Sequence, residues 1–162
     1  MKTAVCTGSF DPVTVGHMDI FRRAASMFDT VYVAVLGNSS KTSLFTPEER
    51  CELIAAAAEA AGITNLKAEA YSGLAVDYAK EKNACAIVRG IRNTTDFAYE
   101  TNMSLANSYL EGGVETIFLY AAPGLSFISS SLVKELAAYK KDIDGLVPDA
   151  IKNKIAERLI ER

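Results

Sequence analysis

Short runs of consecutive apolar residues alternate along the chain with longer stretches in which apolar positions return every three or four residues. Thr3-Ala4-Val5-Cys6 has the pattern of a buried strand, and Met18 to Phe28 then carries a helical period that Asp29-Thr30 breaks. Val31 to Leu36 is almost wholly apolar, as suits a parallel strand covered on both faces. The next helix has a clear start: Thr46 as N-cap, Pro47 at the first helical position, and Glu49 completing a capping box. It is predicted to run to Ala61 and to stop at Gly62. Leu66 to Ala70 predicts a strand with one face less buried, and Leu74 to Lys82 a helix with Ala75, Tyr78 and Ala79 on a common face.

Cys85 to Val88 predicts a short, buried fourth strand, followed by Arg89-Gly90-Ile91-Arg92 and a polar turn, Asn93 to Asp96. A helix from about Phe97 to Leu110 is closed by Gly112-Gly113, and Glu115 to Tyr120 is the fifth strand. Leu132 to Tyr139 and Asp149 to Arg162 complete the series as helices, with a turn marked by Gly145 and Pro148 between them. Strand and helix therefore alternate five times, with one extra helix at the end. That order predicts an α/β fold: a doubly wound, five-stranded parallel sheet with right-handed crossovers. A length of 162 residues fits one domain over 1–162.

Composition narrows the class. Apolar residues at 49% and charged residues at 23% are ordinary for a globular chain. A formal charge of -3 argues against nucleic acid as a partner and leaves a mononucleotide open. No apolar stretch approaches transmembrane length, so no membrane partner is expected. Cys6, Cys51 and Cys85 form no CxxC pair and show no zinc spacing. The apolar run at the start is too short for a signal peptide, and the expected location is cytoplasmic.

In open parallel sheets, ligands bind beyond the carboxyl ends of the strands, near the reversal of strand order. The segments expected there are Gly8 to His17, which ends in the chain's one histidine; the polar loop with Lys41; Ser72 to Ala75; Arg89 to Arg92; and Leu125 to Ser131. Neither GxxxxGK[ST] nor GxGxxG is present, so a nucleotide site has to use the Gly8 turn and the Ser129-Ser130-Ser131 helix start. Three serines opening a helix offer backbone N–H groups, hydroxyls and the positive dipole end to an anion. Each residue also has a plainer reading. One serine can be only an N-cap, His17 a capping or packing residue, and Asp11 an Asx-type turn residue. Arg89 and Arg92 can pair with acids such as Glu100, and Lys41 can be solvated.

Gly8-Ser9-Phe10-Asp11-Pro12 with Thr14-Val15-Gly16-His17 resembles the TxGH form of the HxGH signature of the nucleotidyltransferase superfamily, and Ile128 to Ser131 resembles its second signature. Ser40-Lys41, Phe45 to Arg50, Val88 to Arg92 and Asp96 to Glu100 narrow the resemblance, over essentially the whole chain, to the bacterial phosphopantetheine adenylyltransferase family. The resemblance implies transfer of AMP from ATP to 4′-phosphopantetheine, giving dephospho-coenzyme A and pyrophosphate, with Mg2+ as cofactor and a homohexameric assembly. It implies that His17 stabilises the transition state, with Lys41 and Arg92 also catalytic, and that Ser9, Lys41, Ala75 and Arg89 bind the acceptor. It places ATP at Ser9, Phe10, His17, Gly90, Ile91, Arg92 and Glu100, and along Leu125, Ser126, Phe127, Ile128, Ser129, Ser130 and Ser131. The chain departs from the family's pattern at Cys6-Thr7, where an aromatic–proline pair is usual, and at Val15, Thr42 and Leu125, the last in place of an aromatic residue.

The chemistry is consistent with such an assignment. The nucleophile is already a phosphate anion, so the reaction needs alignment of two repelling anions and neutralisation of charge at phosphorus rather than a general base. Two rival readings remain at this level: a transferase for nicotinamide mononucleotide or a cytidylyltransferase, and a non-catalytic ATP-binding regulatory domain. The second would have no use for His17 or an acceptor-phosphate site.

Overall fold

The structure, a computed structural model, describes residues 1–37, 43–110 and 114–160, the side chains of the last two excepted. Its elements follow in the order β1 (Thr3–Gly8), α1 (Val15–Met27), β2 (Thr30–Leu36), α2 (Pro47–Ala60), β3 (Leu66–Tyr71), α3 (Ala75–Glu81), β4 (Ala86–Ile91), α4 (Thr94–Leu110), β5 (Glu115–Tyr120), α5 (Ser130–Ala138) and α6 (Asp149–Ile160). The five strands form one parallel sheet in the order β3-β2-β1-β4-β5. Strand order reverses between β1 and β4, and the crevice of a doubly wound sheet lies at that point.

Each face of the sheet is covered. Ala4, Cys6, Val31, Val33, Val35 and Val88 meet Phe21 and Ala24 of α1 and Leu53 and Ile54 of α2 in one core. Val5, Ala34 and Ile87 point the other way and pack on Val76, Tyr78 and Ala79 of α3. This division follows from the two-residue period of a strand: buried on both faces, β1 and β2 read as unbroken apolar runs. Ile151 and Ile155 of α6 join the first core, where α6 lies against α2 and α5.

Local chemistry sets the helix starts. Thr46 accepts the Glu49 N–H while the Glu49 carboxylate accepts the Thr46 N–H at 2.8 Å, so α2 begins where its capping box predicts. Three boundaries depart from the sequence reading by three residues, and others by one or two. Helix α1 begins at Val15 rather than Met18, because Thr14 caps it. Strand β4 continues to Ile91, since Arg89, Gly90 and Ile91 pair with Phe118, Leu119 and Tyr120 of β5 after β1 has parted from β4. Helix α4 begins at Thr94, because the Asn93 side chain accepts the Asp96 N–H at 2.9 Å and so does the work of an N-cap. The Gly112-Gly113 stop and Arg162 lie outside the described residues.

Candidate active site

A cavity of about 320 Å³ opens at the carboxyl edge of the sheet, at the parting of β1 and β4. The end of β1 and the following turn form one wall (Cys6 to Phe10), and the end of β4 with Arg92 forms another (Val88 to Arg92). The start of α1 supplies Thr14, Gly16 and His17, α4 supplies Glu100, and the approach to α5 supplies Leu125 and Ile128 to Ser131. The volume falls within the range of small-molecule sites.

His17 is placed by a capping box of unusual composition. The Thr14 hydroxyl accepts the His17 N–H at 3.3 Å, and His17 Nδ1 accepts the Thr14 N–H at 3.0 Å. A backbone N–H can only donate, so Nδ1 carries the lone pair and the neutral ring keeps its proton on Nε2. The ring is held edge-on by Phe10, with centroids 5.1 Å apart, and lies near-parallel to Phe21 at 6.5 Å. Desolvation, with Arg92 and Arg89 nearby, lowers its pKa from 6.5 to about 4. At neutral pH His17 is therefore an uncharged N–H donor. Gly8 serves this arrangement by its size: a Cβ there would come within 2.8 Å of the Phe10 ring.

Two arginines enter from β4 and the turn after it. Arg89 makes a fork-on-fork pair with Glu100, with Nε and Nη2 donating at 2.7 and 2.6 Å, and its Nη1 donates to the hydroxyl and carbonyl of Thr7. Arg92 pairs with Asp96 at 2.8 and 3.2 Å and also donates to the Ile128 carbonyl at 3.4 Å. The pairing expected of a plain surface salt bridge is thus present, but inside the cavity, where bidentate geometry gives it weight. The cavity presents two oriented guanidinium groups beside a neutral imidazole N–H, a set suited to phosphate oxygens.

The three serines divide their roles. Ser129 is the N-cap of α5 and accepts the Leu132 N–H at 3.1 Å, and Ser130 donates to the Pro12 carbonyl at 2.8 Å, tying α5 to the first turn. Ser131 lines the cavity with them. Asp11 does not close an Asx turn. Its buried carboxylate accepts the N–H groups of Leu44 and Phe45 at 2.9 and 3.0 Å and lies 3.4 Å from Arg50 Nε. Arg50, also buried, donates to the carbonyls of Phe45 and Ser9, so the first turn and the approach to α2 are locked together.

Of the residues the sequence singled out, the cavity brings together Ser9, Phe10, His17, Arg89, Gly90, Ile91, Arg92, Glu100, Leu125, Ile128, Ser129, Ser130 and Ser131. Phe10 is buried and acts mainly as the prop for His17 and Phe21. Ala75, Ser126 and Phe127 stand outside the lining; Ala75 opens α3, and Phe127 is mostly exposed. Lys41 lies outside the described residues. Thr7, Thr14, Ile20, Phe21 and Asp96 line the cavity without having been singled out as site residues. The signal for Phe21 was its place one helical turn after His17, and for Thr14 the three-residue spacing of a capping box. Cys6 also faces the cavity, but burial pushes its thiol up to about 12, so it is no nucleophile at neutral pH. Among the described residues no three His, Cys, Asp or Glu side chains gather as a metal cage, and the cavity's carboxylates are bound to arginines. A hard cation at this cavity would be held chiefly by substrate oxygens and water.

Residues 5–136 match the cytidylyltransferase-like family. The chain is also 45% identical over 157 residues to a phosphopantetheine adenylyltransferase of Shouchella clausii, covering 97% of this chain and 98% of that one. It belongs to the phosphopantetheine adenylyltransferase family. Two solved structures share the family's fold at low identity. One, from Vibrio parahaemolyticus and assigned as a nicotinate-nucleotide adenylyltransferase, superposes with a TM-score of 0.70 at 17% identity, over 99% of this chain and 93% of that one. The other is a bifunctional NMN adenylyltransferase/ADP ribose pyrophosphatase of Francisella tularensis, with a TM-score of 0.73 at 15% identity over 96% of this chain and 49% of that one. A shared fold does not by itself fix the acceptor: the Vibrio and Francisella proteins carry it under other names at 17% and 15% identity.

Proposed function

We propose that the protein transfers the AMP moiety of ATP to 4′-phosphopantetheine, forming dephospho-coenzyme A and pyrophosphate by direct in-line attack with no covalent intermediate. The observation that carries this reading is the meeting of His17, Arg89 and Arg92 in one cavity at the strand-order reversal, in a chain 45% identical to the Shouchella enzyme. An acceptor phosphate oxygen attacks the α-phosphorus of ATP, the bond to the β-phosphate oxygen breaks, and its electron pair leaves on pyrophosphate. The site's task is to hold two anions in line and to bond the oxygens on which charge builds.

His17 Nε2–H is the donor for the α-phosphate oxygens. Being neutral, it needs no proton transfer and gains strength only as charge develops. Arg89, with Lys41, takes the acceptor phosphate, and Ala75 lies beside the pantetheine arm. Arg92 serves the nucleotide phosphates, and Ser9 lies where the two reactants meet. Gly90, Ile91, Glu100 and the Leu125 to Ser131 segment form the ATP side, where Leu125 gives the base aliphatic packing. Mg2+ bound to the phosphates would supply neutralisation of charge on the leaving pyrophosphate. The same reading includes assembly as a homohexamer in the cytoplasm, acting on small molecules rather than on nucleic acid or a membrane. Among the described residues no helix is long and apolar enough to cross a membrane.

A substrate panel tests the proposal. Pyrophosphate release should require ATP and 4′-phosphopantetheine together. Turnover with nicotinamide mononucleotide, or with CTP and a phosphorylated alcohol, and none with phosphopantetheine, would overturn it.

A further inference from the structure

Arg89 is held more completely than its pairing with Glu100 requires. A guanidinium has five N–H donors in a rigid fork. Glu100 takes one from Nε and one from Nη2, while both contacts to Thr7 come from Nη1. Glu100 alone would leave the group free to tilt about the axis of the fork. The Thr7 hydroxyl, 2.7 Å from Nη1, removes that freedom from the opposite end together with the Thr7 carbonyl, which accepts from the same nitrogen.

The sheet explains why Thr7 is the residue in reach. Pairing between β1 and β4 runs from Ala4–Ala86 to Cys6–Val88. Val5 and Ile87 share one face of the sheet, and two residues further along each strand Thr7 and Arg89 share it again. They are neighbours across the strands at the point where the strands part. Thr7 is 6% exposed. Packing alone at such a position is met by valine, which has the same shape and at least the strand propensity of threonine. The hydroxyl has a use there only toward Arg89: among the hydrogen bonds of the described residues, its partner is that guanidinium.

We propose that Thr7 is a positioning residue that acts through Arg89, fixing the guanidinium at the angle at which it meets the acceptor phosphate. This rests on the acceptor role given to Arg89 above. A fixed fork loses less freedom on binding than one that must be ordered by its ligand, so the effect belongs to binding of the substrate that Arg89 serves.

Steady-state kinetics of Thr7→Val, Thr7→Ser, Arg89→Lys and the double variant Thr7→Val/Arg89→Lys, with both substrates varied, test this. Thr7→Val should raise the KM for 4′-phosphopantetheine roughly tenfold, the scale of one hydrogen bond to a charged group. It should leave the KM for ATP within about twofold, and Thr7→Ser should restore the wild-type value. In the Arg89→Lys background Thr7→Val should add almost nothing, since the two act as one unit. An unchanged acceptor KM in Thr7→Val overturns the proposal. So does an effect of undiminished size in the Arg89→Lys background, or a loss that Thr7→Ser does not rescue. Failure of the acceptor assignment looks different: Arg89→Lys and Thr7→Val would then raise the KM for ATP together, still non-additively.

Discussion

His17 shows how much one side chain's surroundings decide. Its Nδ1 is committed to the Thr14 N–H, its ring is packed between Phe10 and Phe21, and desolvation with two nearby arginines holds its pKa at about 4. At physiological pH the ring is therefore an uncharged N–H donor. As the chain's one histidine, it can be followed without assignment. We predict that its ring Hε1 resonance in the free protein titrates near pH 4; a midpoint near 6.5 would mean an exposed, freely protonating ring. The sign for stability follows. The folded pKa lies below the unfolded value, so between pH 6.5 and 4 the unfolded chain binds more protons and stability falls as pH falls. Of the site residues, those carried by short motifs were legible from sequence, while Thr7 was not, because its partner Arg89 is 82 positions away.

At the scale of elements, the legible boundaries were those written in local chemistry. Thr46, Pro47 and Glu49 fix the start of α2, and Glu115 to Tyr120 is β5 as its apolar run implies. The end of β4 was misread because Arg89 and Gly90 look like a loop; the ladder to β5 keeps them in the strand. The Asp11 clamp was illegible for the same reason as Thr7, since its partners lie 33 and 34 residues downstream. Asp11 and Arg50 are both nearly inaccessible, so removing one leaves a buried charge without its partner. Asp11→Ala should therefore cost about 3–5 kcal/mol in denaturant unfolding. A loss below ~1 kcal/mol would show that the clamp between the first turn and α2 matters little.

At the scale of the molecule, the two sides of the sheet end differently. The helices α1, α2, α5 and α6 share a core, whereas α4 buries only Glu100 and leaves Phe97, Tyr99, Met103, Leu105, Tyr109 and Leu110 exposed. Scattered exposed apolar residues are normal, but so many on one helix leave apolar surface that an oligomer would cover. This supports the proposed homohexamer. Sedimentation should give six copies per particle, and the pair Leu105→Glu and Tyr109→Glu should dissociate it; a wild-type monomer at micromolar concentration would contradict the assembly. The α/β class and strand count were open to reading from the apolar pattern, whereas the strand order, which creates the cavity, depends on contacts that no local pattern encodes.

In the proposed mechanism His17 acts where charge builds rather than where ATP first binds. The direct test is kcat together with the ATP dissociation constant for His17→Ala. Loss of one donor that strengthens only in the transition state should lower kcat by roughly 10²–10³-fold, ~3–4 kcal/mol, with the ATP Kd changed by less than about threefold. A Kd that weakens in step with kcat would contradict it and make His17 a ground-state ligand.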